Sequence, residues 1–218
     1  MKSLPRMLIT AGPTIEPIDP VRFMSNRSTG LLGYELARSA KKRKLKVTLI
    51  TGPVCAEPPK GVRVIKIETA RQLKSGVLSE LKRHDVLIMA GAVCDFRPKT
   101  VLSGKIKRKG VLRIRFLKNP DILASIPEKT RKNKIIVGFA LETENLIKNA
   151  VKKMTNKRLD FIIANKYTPA ASPFGRGKKT VYFIDRSGTR KKLENMTKKR
   201  IAGAILDTID ELCYTRFI

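Results

Sequence analysis

The chain of 218 residues has room for one α/β core with insertions but is short for two independent domains, and its three cysteines and single histidine show no metal-type spacing, so no structural zinc is expected. No apolar run approaches the length of a membrane span, and Cys55, Cys94 and Cys213 show no paired spacing, so a soluble, cytoplasmic protein with free thiols is expected. Its 47 basic and 18 acidic residues give a formal net charge of +29, which predicts anionic partners and says nothing of the fold.

Residues 7–10 predict a first buried strand, and residues 30–44 a helix with Leu32, Leu36 and Ala40 at helical spacing. "KVTLIT" (46–51) follows as a second buried strand and "VRVIKI" (62–67) as an alternating third. A helix over 69–83, capped by Thr69, leads into "DVLIMAGA" (85–92), the next strand. There the alternation breaks. "KIKRKGVLRIRF" (105–116) has the pattern of a hairpin with Lys109 and Gly110 in its turn, an arm projecting from the sheet. A short helix from Pro120, a strand over 135–140, a helix over about 144–157 and a strand over 160–165 resume the pattern. A hairpin turning on "DRSG" (185–188) and a helix over 197–212 close it. The whole predicts an α/β fold: a Rossmann-like, mostly parallel sheet with helices on both faces and a β-hairpin arm, in a single domain over 1–218.

Ligands of such sheets collect at the carboxyl ends of the parallel strands. Four segments fall there: "TAGPT" (10–14), "AGAVCDFRPK" (90–99), "GFALETEN" (138–145) and "ANKY" (164–167). Small residues in such turns let backbone N–H groups approach an anion, and a following helix N-terminus adds a favourable field. "SNRSTG" (25–30) is a further turn of this kind, just before a helix. Two other readings fare worse. A basic nucleic-acid-binding module calls for aromatic side chains interleaved with the basic ones, yet the chain has no Trp and its aromatics lie mostly in apolar strand patterns. An NAD(P)-dependent reductase calls for G-x-G-x-x-G and a suitably placed Tyr-x-x-x-Lys pair, which are missing.

The run "ITAGPTIEPIDPVRFMSNRSTGLLG" (9–33), followed in order by "AVCDFRP", "GKIKR", "KNPDIL", "VGFALETEN", "LDFIIAN" and "PFG", resembles bacterial phosphopantothenate-cysteine ligase over nearly the whole chain. The resemblance implies CTP-dependent ligation of 4'-phosphopantothenate to L-cysteine in coenzyme A biosynthesis. An acyl-cytidylate forms with loss of pyrophosphate, and cysteine then displaces CMP to give 4'-phosphopantothenoylcysteine. It further implies Mg2+ and a homodimer with the arm close to the partner subunit. The family usually follows a flavin-dependent decarboxylase in one bifunctional protein; here the ligase is expected to stand alone, with the decarboxylase separate.

By this resemblance Asn26 positions the acyl group and donates its amide to the carbonyl oxygen in the second step, with Arg22 nearby; helix capping is the alternative for Asn26. Ser28 and Gly30 complete the turn that holds the phosphopantothenate. Lys105 reaches the triphosphate from the arm. Gly12, Met89, Ala90, Gly91, Asp95, Pro120, Asp121, Ile122, Leu123 and Phe139 adjoin the nucleotide, and Lys153 and Lys157, four apart on one helix face, contact CTP. Metal ligands remain unassigned. Gly91 and Cys94 stand where the family usually has alanine, and Lys166 where an acidic residue is common. Cys94, without a histidine partner, is read as a packing residue and His84 as a helix C-terminal cap.

Overall fold

The computed structural model describes residues 4–108, 110–168, 174–175, 177–188 and 190–217. The apolar run of β1 (Arg6–Ala11) is buried after its first residue and forms the centre of the sheet. A small antiparallel ribbon, β2 (Ile15–Pro17) with β3 (Phe23–Ser25), precedes α1 (Leu31–Lys42). Next come β4 (Lys46–Thr51), β5 (Arg63–Lys66), α2 (Ala70–Leu81) and β6 (Val86–Met89). A second ribbon pairs β7 (Phe96–Pro98) with β8 (Phe116–Lys118). The chain continues through α3 (Glu128–Arg131), β9 (Ile135–Glu142), α4 (Leu146–Lys157) and β10 (Phe161–Lys166), then β11 (Lys179–Asp185), β12 (Arg190–Met196) and α5 (Lys198–Phe217).

The eight-stranded sheet runs β12-β11-β10-β9-β6-β1-β4-β5. The six strands from β10 to β5 are parallel, and β11 and β12 extend the edge antiparallel. From β1 the chain winds out to β5, then crosses back to β6 on the other side of β1. The strand order therefore reverses between β1 and β6, where the carboxyl ends leave a crevice. Thr10 of β1 lies level with Met89 of β6 and Ile50 of β4 at this end.

Alternation along the strands sorts the core into two layers. Met7, Ile9, Leu49 and Ile88 pack with Leu36, Ala40, Ile205 and Ile209 of α1 and α5. Leu8, Ile50, Leu87 and Ile136 face Leu73, Val77, Ala150 and Met154 of α2 and α4. Gly33 allows α1 to press onto β1: a Cβ there would lie 2.5 Å from that of Ala11. Thr69 and Gln72 form a reciprocal capping box at the start of α2. At its end, the Nδ1–H of His84 donates to the Glu80 carbonyl (2.6 Å), the capping role expected of it.

Two expectations need correction. Among the described residues of 105–116 none pairs with another; the antiparallel pairing lies at the arm's base, in β7 and β8. The first half of the arm spends its backbone groups elsewhere, with Leu102 N–H donating to Ile18 O (3.0 Å) and Ile106 N–H to Asp19 (3.1 Å). Lys109, expected in the turn, lies outside the described residues, as does Pro173 of "PFG". Nor does a helix start at Pro120. Asp121 caps a single turn, accepting from Ala124 N–H (3.0 Å), and helix proper waits until Pro127 supplies the N-cap of α3. No described helix is long and apolar enough to cross a membrane.

Candidate active site

At the reversal point, the turns after β1 and β6 are laced together by main-chain and threonine hydrogen bonds. Ala92 N–H donates to Gly12 O (2.8 Å) and Thr14 N–H to Ala92 O (3.0 Å). Thr10 Oγ1 accepts from Gly91 N–H and Thr14 Oγ1 from Cys94 N–H, both at 2.9 Å. The segment 25–30 is fastened to the first of these turns by Ser25 Oγ, which donates to Thr14 O (2.9 Å), and to the segment before β11 by Thr29 Oγ1, which donates to Phe174 O (3.0 Å). Gly30, the N-cap of α1, has φ 70°, a left-handed conformation that costs glycine little.

These turns wall a cleft of about 750 Å3, within the range that takes a small organic ligand. Asn26, Ser28, Gly30, Met89, Ala90, Gly91, Asp95, Leu123, Phe139 and Lys153 line it, so most of the expected residues converge there from separate segments of the chain. Arg27, Lys153, Lys179 and Lys198 outnumber Asp95 and Glu142 in its lining, and the start of α5 at Lys198 adds a second helix N-terminus to that of α1. Such a field favours an anion. Burial pushes the Lys153 ammonium below the usual lysine range, with Glu142 and Asp95 pulling partly back; a bound phosphate would favour its charged form. Burial and then the neighbouring Lys179 depress Lys198 in the same way.

The remaining expected residues lie outside this lining. Gly12 belongs to the turn itself, its carbonyl accepting from Ala92 N–H (2.8 Å). Arg22 turns toward the arm, donating to Asp19 Oδ2 (2.6 Å) and Ile106 O (3.2 Å). Lys105, on the arm, is exposed. Ile122 is buried in the core layer with α2 and α4, Pro120 opens the turn that carries it, and Lys157 pairs with Asp121.

For Asn26 the capping alternative falls away, and the expected amide donation to the acyl oxygen requires correction. It does not cap α1, whose N-cap is Gly30. Its amide nitrogen donates to the carbonyls of Ala92 (3.1 Å), which also accepts from Thr14 N–H, and of Val93 (3.0 Å). The –NH2 group is thus spent on the protein, and Oδ1, an acceptor, is the atom left for a ligand. Swapping the two amide atoms would set oxygen against two carbonyl oxygens, which fixes the assignment. Cys94 is a packing residue as expected: burial raises its thiol, which points at Thr14 O (3.4 Å).

Sequence reasoning missed the buried polar side chains that hold these walls. Glu16 Oε1 accepts from Ala70 N–H (2.9 Å) at the head of α2 and from Asn119 Nδ2 (3.0 Å), which also donates to Cys94 O (2.9 Å). Both residues belong to quoted motifs, but nothing in their spacing marks them as braces.

A second depression, of about 790 Å3, lies at the opposite end of β9 and β10 and is richer still in arginine. Its guanidinium groups are already engaged: Arg131 on Lys157 O (3.1 Å), Arg186 on Leu159 O (2.8 Å), and Arg216 on Lys134 O (2.6 Å) and Asp160 (2.5 Å). They close the end of α4 and support the structure there.

The profile of the DNA/pantothenate metabolism flavoprotein C-terminal domain family matches residues 3–212. The coenzyme A biosynthesis bifunctional protein CoaBC of Borreliella burgdorferi is 42% identical over 206 residues, covering 92% of this chain and 51% of that protein. A cysteine/cysteine sulfinic acid decarboxylase of an unknown prokaryotic organism is 40% identical over 206 residues, covering 94% and 57%. The chain thus spans little more than half the length of these relatives. The crystal structure of the C-terminal domain of coenzyme A biosynthesis bifunctional protein CoaBC superposes with a TM-score of 0.82 at 33% identity, covering 97% of this chain and 96% of that one. A profile match over nearly the full length, on a sheet whose cleft lies at its switch point, establishes that the chain belongs to the DNA/pantothenate metabolism flavoprotein C-terminal domain family.

Proposed function

We propose that this chain is a phosphopantothenate-cysteine ligase that uses CTP to activate the carboxylate of 4'-phosphopantothenate and then transfers the acyl group to L-cysteine. The observation that carries this reading is the cleft at the switch point, where two helix N-termini and an excess of cations converge with the motif residues. A carboxylate is a poor acyl donor, so it must first be converted to a mixed anhydride. Its oxygen attacks the α-phosphorus of CTP, pyrophosphate departs, and the acyl-cytidylate remains. The amine of cysteine then adds to the acyl carbon, loses a proton, and expels CMP. Negative charge grows on phosphate oxygens in the first step and on the acyl oxygen in the second, so fixed cations and N–H groups supply the stabilisation. No protein nucleophile is needed. Among the described residues no three His, Cys, Asp or Glu side chains cluster, and Mg2+ ordinarily needs only one or two carboxylates beside the phosphates it bridges. Mg2+ would enter with the triphosphate as part of the substrate.

In a rapid-quench single turnover, pyrophosphate release is expected with CTP and phosphopantothenate alone, without cysteine. Release that waits for cysteine would reject the two-step order. The decarboxylase named among the relatives suggests a rival chemistry, and carbon dioxide formed from cysteine in the absence of nucleotide would favour it.

A homodimer belongs to this proposal. Val21, Phe23, Phe96, Leu102, Val111 and Phe116 expose apolar side chains on the two ribbons and the arm, with Val111 84% accessible. Single exposed hydrophobes are ordinary, but their concentration on the two ribbons and the arm marks an interaction surface. A second copy of the chain is the occupant that the family resemblance implies. Light scattering at micromolar concentration is expected to give the mass of a dimer, and a monomer there would remove this part of the proposal.

A further inference from the structure

Asp19 belongs to none of the expected site residues, yet its side chain is fully buried. Its two oxygens do different work. Oδ1 accepts from Val21 N–H (2.8 Å) and Arg22 N–H (2.7 Å), closing the turn between β2 and β3 in the manner common for Asp before Pro. Oδ2 accepts from the Arg22 guanidinium (2.6 Å) and, across 87 residues of sequence, from Ile106 N–H (3.1 Å). Arg22 in turn donates to Ile106 O (3.2 Å). Both the N–H and the C=O of Ile106 are therefore fixed by the Asp19–Arg22 pair, and Ile106 directly follows Lys105. Closing the turn needs one oxygen, which serine or asparagine would supply; the second oxygen serves the arm.

The arm has reason to need such a tether. Residues 99–115 carry Lys99, Lys105, Lys107, Arg108, Lys109, Arg113 and Arg115 and no acidic residue. Mutual repulsion extends a segment of this kind, and ordering it costs conformational entropy that some contact must offset. Burial raises the Asp19 carboxyl, but the N–H groups of Ile106, Val21 and Arg22 and the Arg22 guanidinium outweigh it and hold the group well below the usual carboxylate range. The tether is thus ionised at every pH at which the enzyme would work.

We propose that Asp19 is a positioning residue for Lys105: together with Arg22 it clamps the Ile106 peptide and so fixes the point on the arm from which Lys105 reaches the triphosphate. The catalytic part of this rests on the ligase reading; the clamp itself does not. Arg22, expected beside the acyl group, then acts through the arm.

The test uses Asp19→Asn, which keeps Oδ1 for the turn but sets –NH2 against Ile106 N–H and the guanidinium. Amide exchange is measured first on the wild-type protein, where Ile106 should exchange about 10-fold or more slowly than Lys105 and Lys107, and that protection should vanish in Asp19→Asn. The rate of pyrophosphate release should fall about 10-fold in Asp19→Asn with the KM for cysteine unchanged. In a Lys105→Gln background the same substitution should cost less than about 2-fold, because both changes remove one interaction. If Asp19→Asn does not fold, Asp19→Ser, which also retains an oxygen for the turn, takes its place. An unprotected Ile106 amide in wild type would overturn the clamp whatever the activity. Additive losses in the double variant would overturn the route through Lys105 while leaving the clamp standing. Wild-type protein inactive toward CTP would reject the ligase reading, and the exchange result would still decide the clamp.

Discussion

Replacing Lys105 by glutamine is expected to slow CTP-dependent activation about 100-fold, the cost typical of deleting a group that stabilises charge developing in the transition state. Glutamine keeps an N–H donor and much of the length, so the loss reports the positive charge. The fold should not change. Lys105 is exposed on a segment outside both core layers, and a surface substitution of this kind usually alters stability by no more than about 0.5 kcal/mol. Lys107→Gln provides the control. It removes an equal charge from the same exposed stretch, just beyond the clamped Ile106, and should cost less than about 3-fold if position, rather than the net charge of the arm, matters. Pyrophosphate release under rapid quench, with circular dichroism and thermal melting alongside, reads all of this. A Lys105→Gln enzyme that stays active, or equal losses for Lys105→Gln and Lys107→Gln, would remove Lys105 from the first step. Because Lys105 lies outside the cleft lining, its side chain must swing inward when the triphosphate binds. Protection of Lys105 from amine acetylation by CTP would register that movement.

The parts of the fold legible in the sequence were those whose residues carry a period. The parallel strands are apolar runs bounded by turn residues, save β5, which alternates, and the start of α2 is marked by Thr69. The ribbons β2–β3 and β7–β8 were not legible: at three residues a strand they are too short for alternation to show, and Pro13, Pro17 and Pro20 make the first read as loop. The arm misled for a different reason. Its alternation over 105–116 is real, but pairing depends on which backbone groups are free, and those of Leu102 and Ile106 are taken by the turn at Ile18 and Asp19. At Pro120 the helix start signal was present, yet Pro127 follows too soon for more than a turn. The cleft itself was largely legible because its turns are contiguous motifs at strand ends. What joins those turns was not: Thr10, Thr14, Glu16, Asp19 and Asn119 act through hydrogen bonds to segments far along the chain, a pairing no local pattern encodes.

The second large effect concerns transfer to cysteine. Asn26→Asp is expected to leave activation by CTP within about 3-fold of wild type while slowing aminolysis about 100-fold, so that the acyl-cytidylate accumulates. The Asn26 amide nitrogen holds the carbonyls of Ala92 and Val93, and its Oδ1 is left to accept from the amine of cysteine as it approaches the acyl carbon. In the Asn26→Asp variant an anionic oxygen would confront two carbonyl oxygens where –NH2 now donates. The side chain must swing away, and the acceptor that orients the amine goes with it. Loss of alignment at this stage costs mainly the second step, because attack on the α-phosphorus draws on cations and N–H groups elsewhere in the cleft. Asn26→Ala separates the two contributions: it removes the acceptor without introducing repulsion, and should slow transfer by a smaller factor, about 10-fold, with the same intermediate appearing. The acyl-cytidylate should be recoverable with either variant by mass spectrometry after gel filtration, and adding excess cysteine should discharge it slowly. Full ligase turnover in Asn26→Asp would show that neither the acceptor nor its anchoring matters. Equal slowing of both steps, with no intermediate, would place Asn26 at the binding of phosphopantothenate and away from the chemistry of transfer.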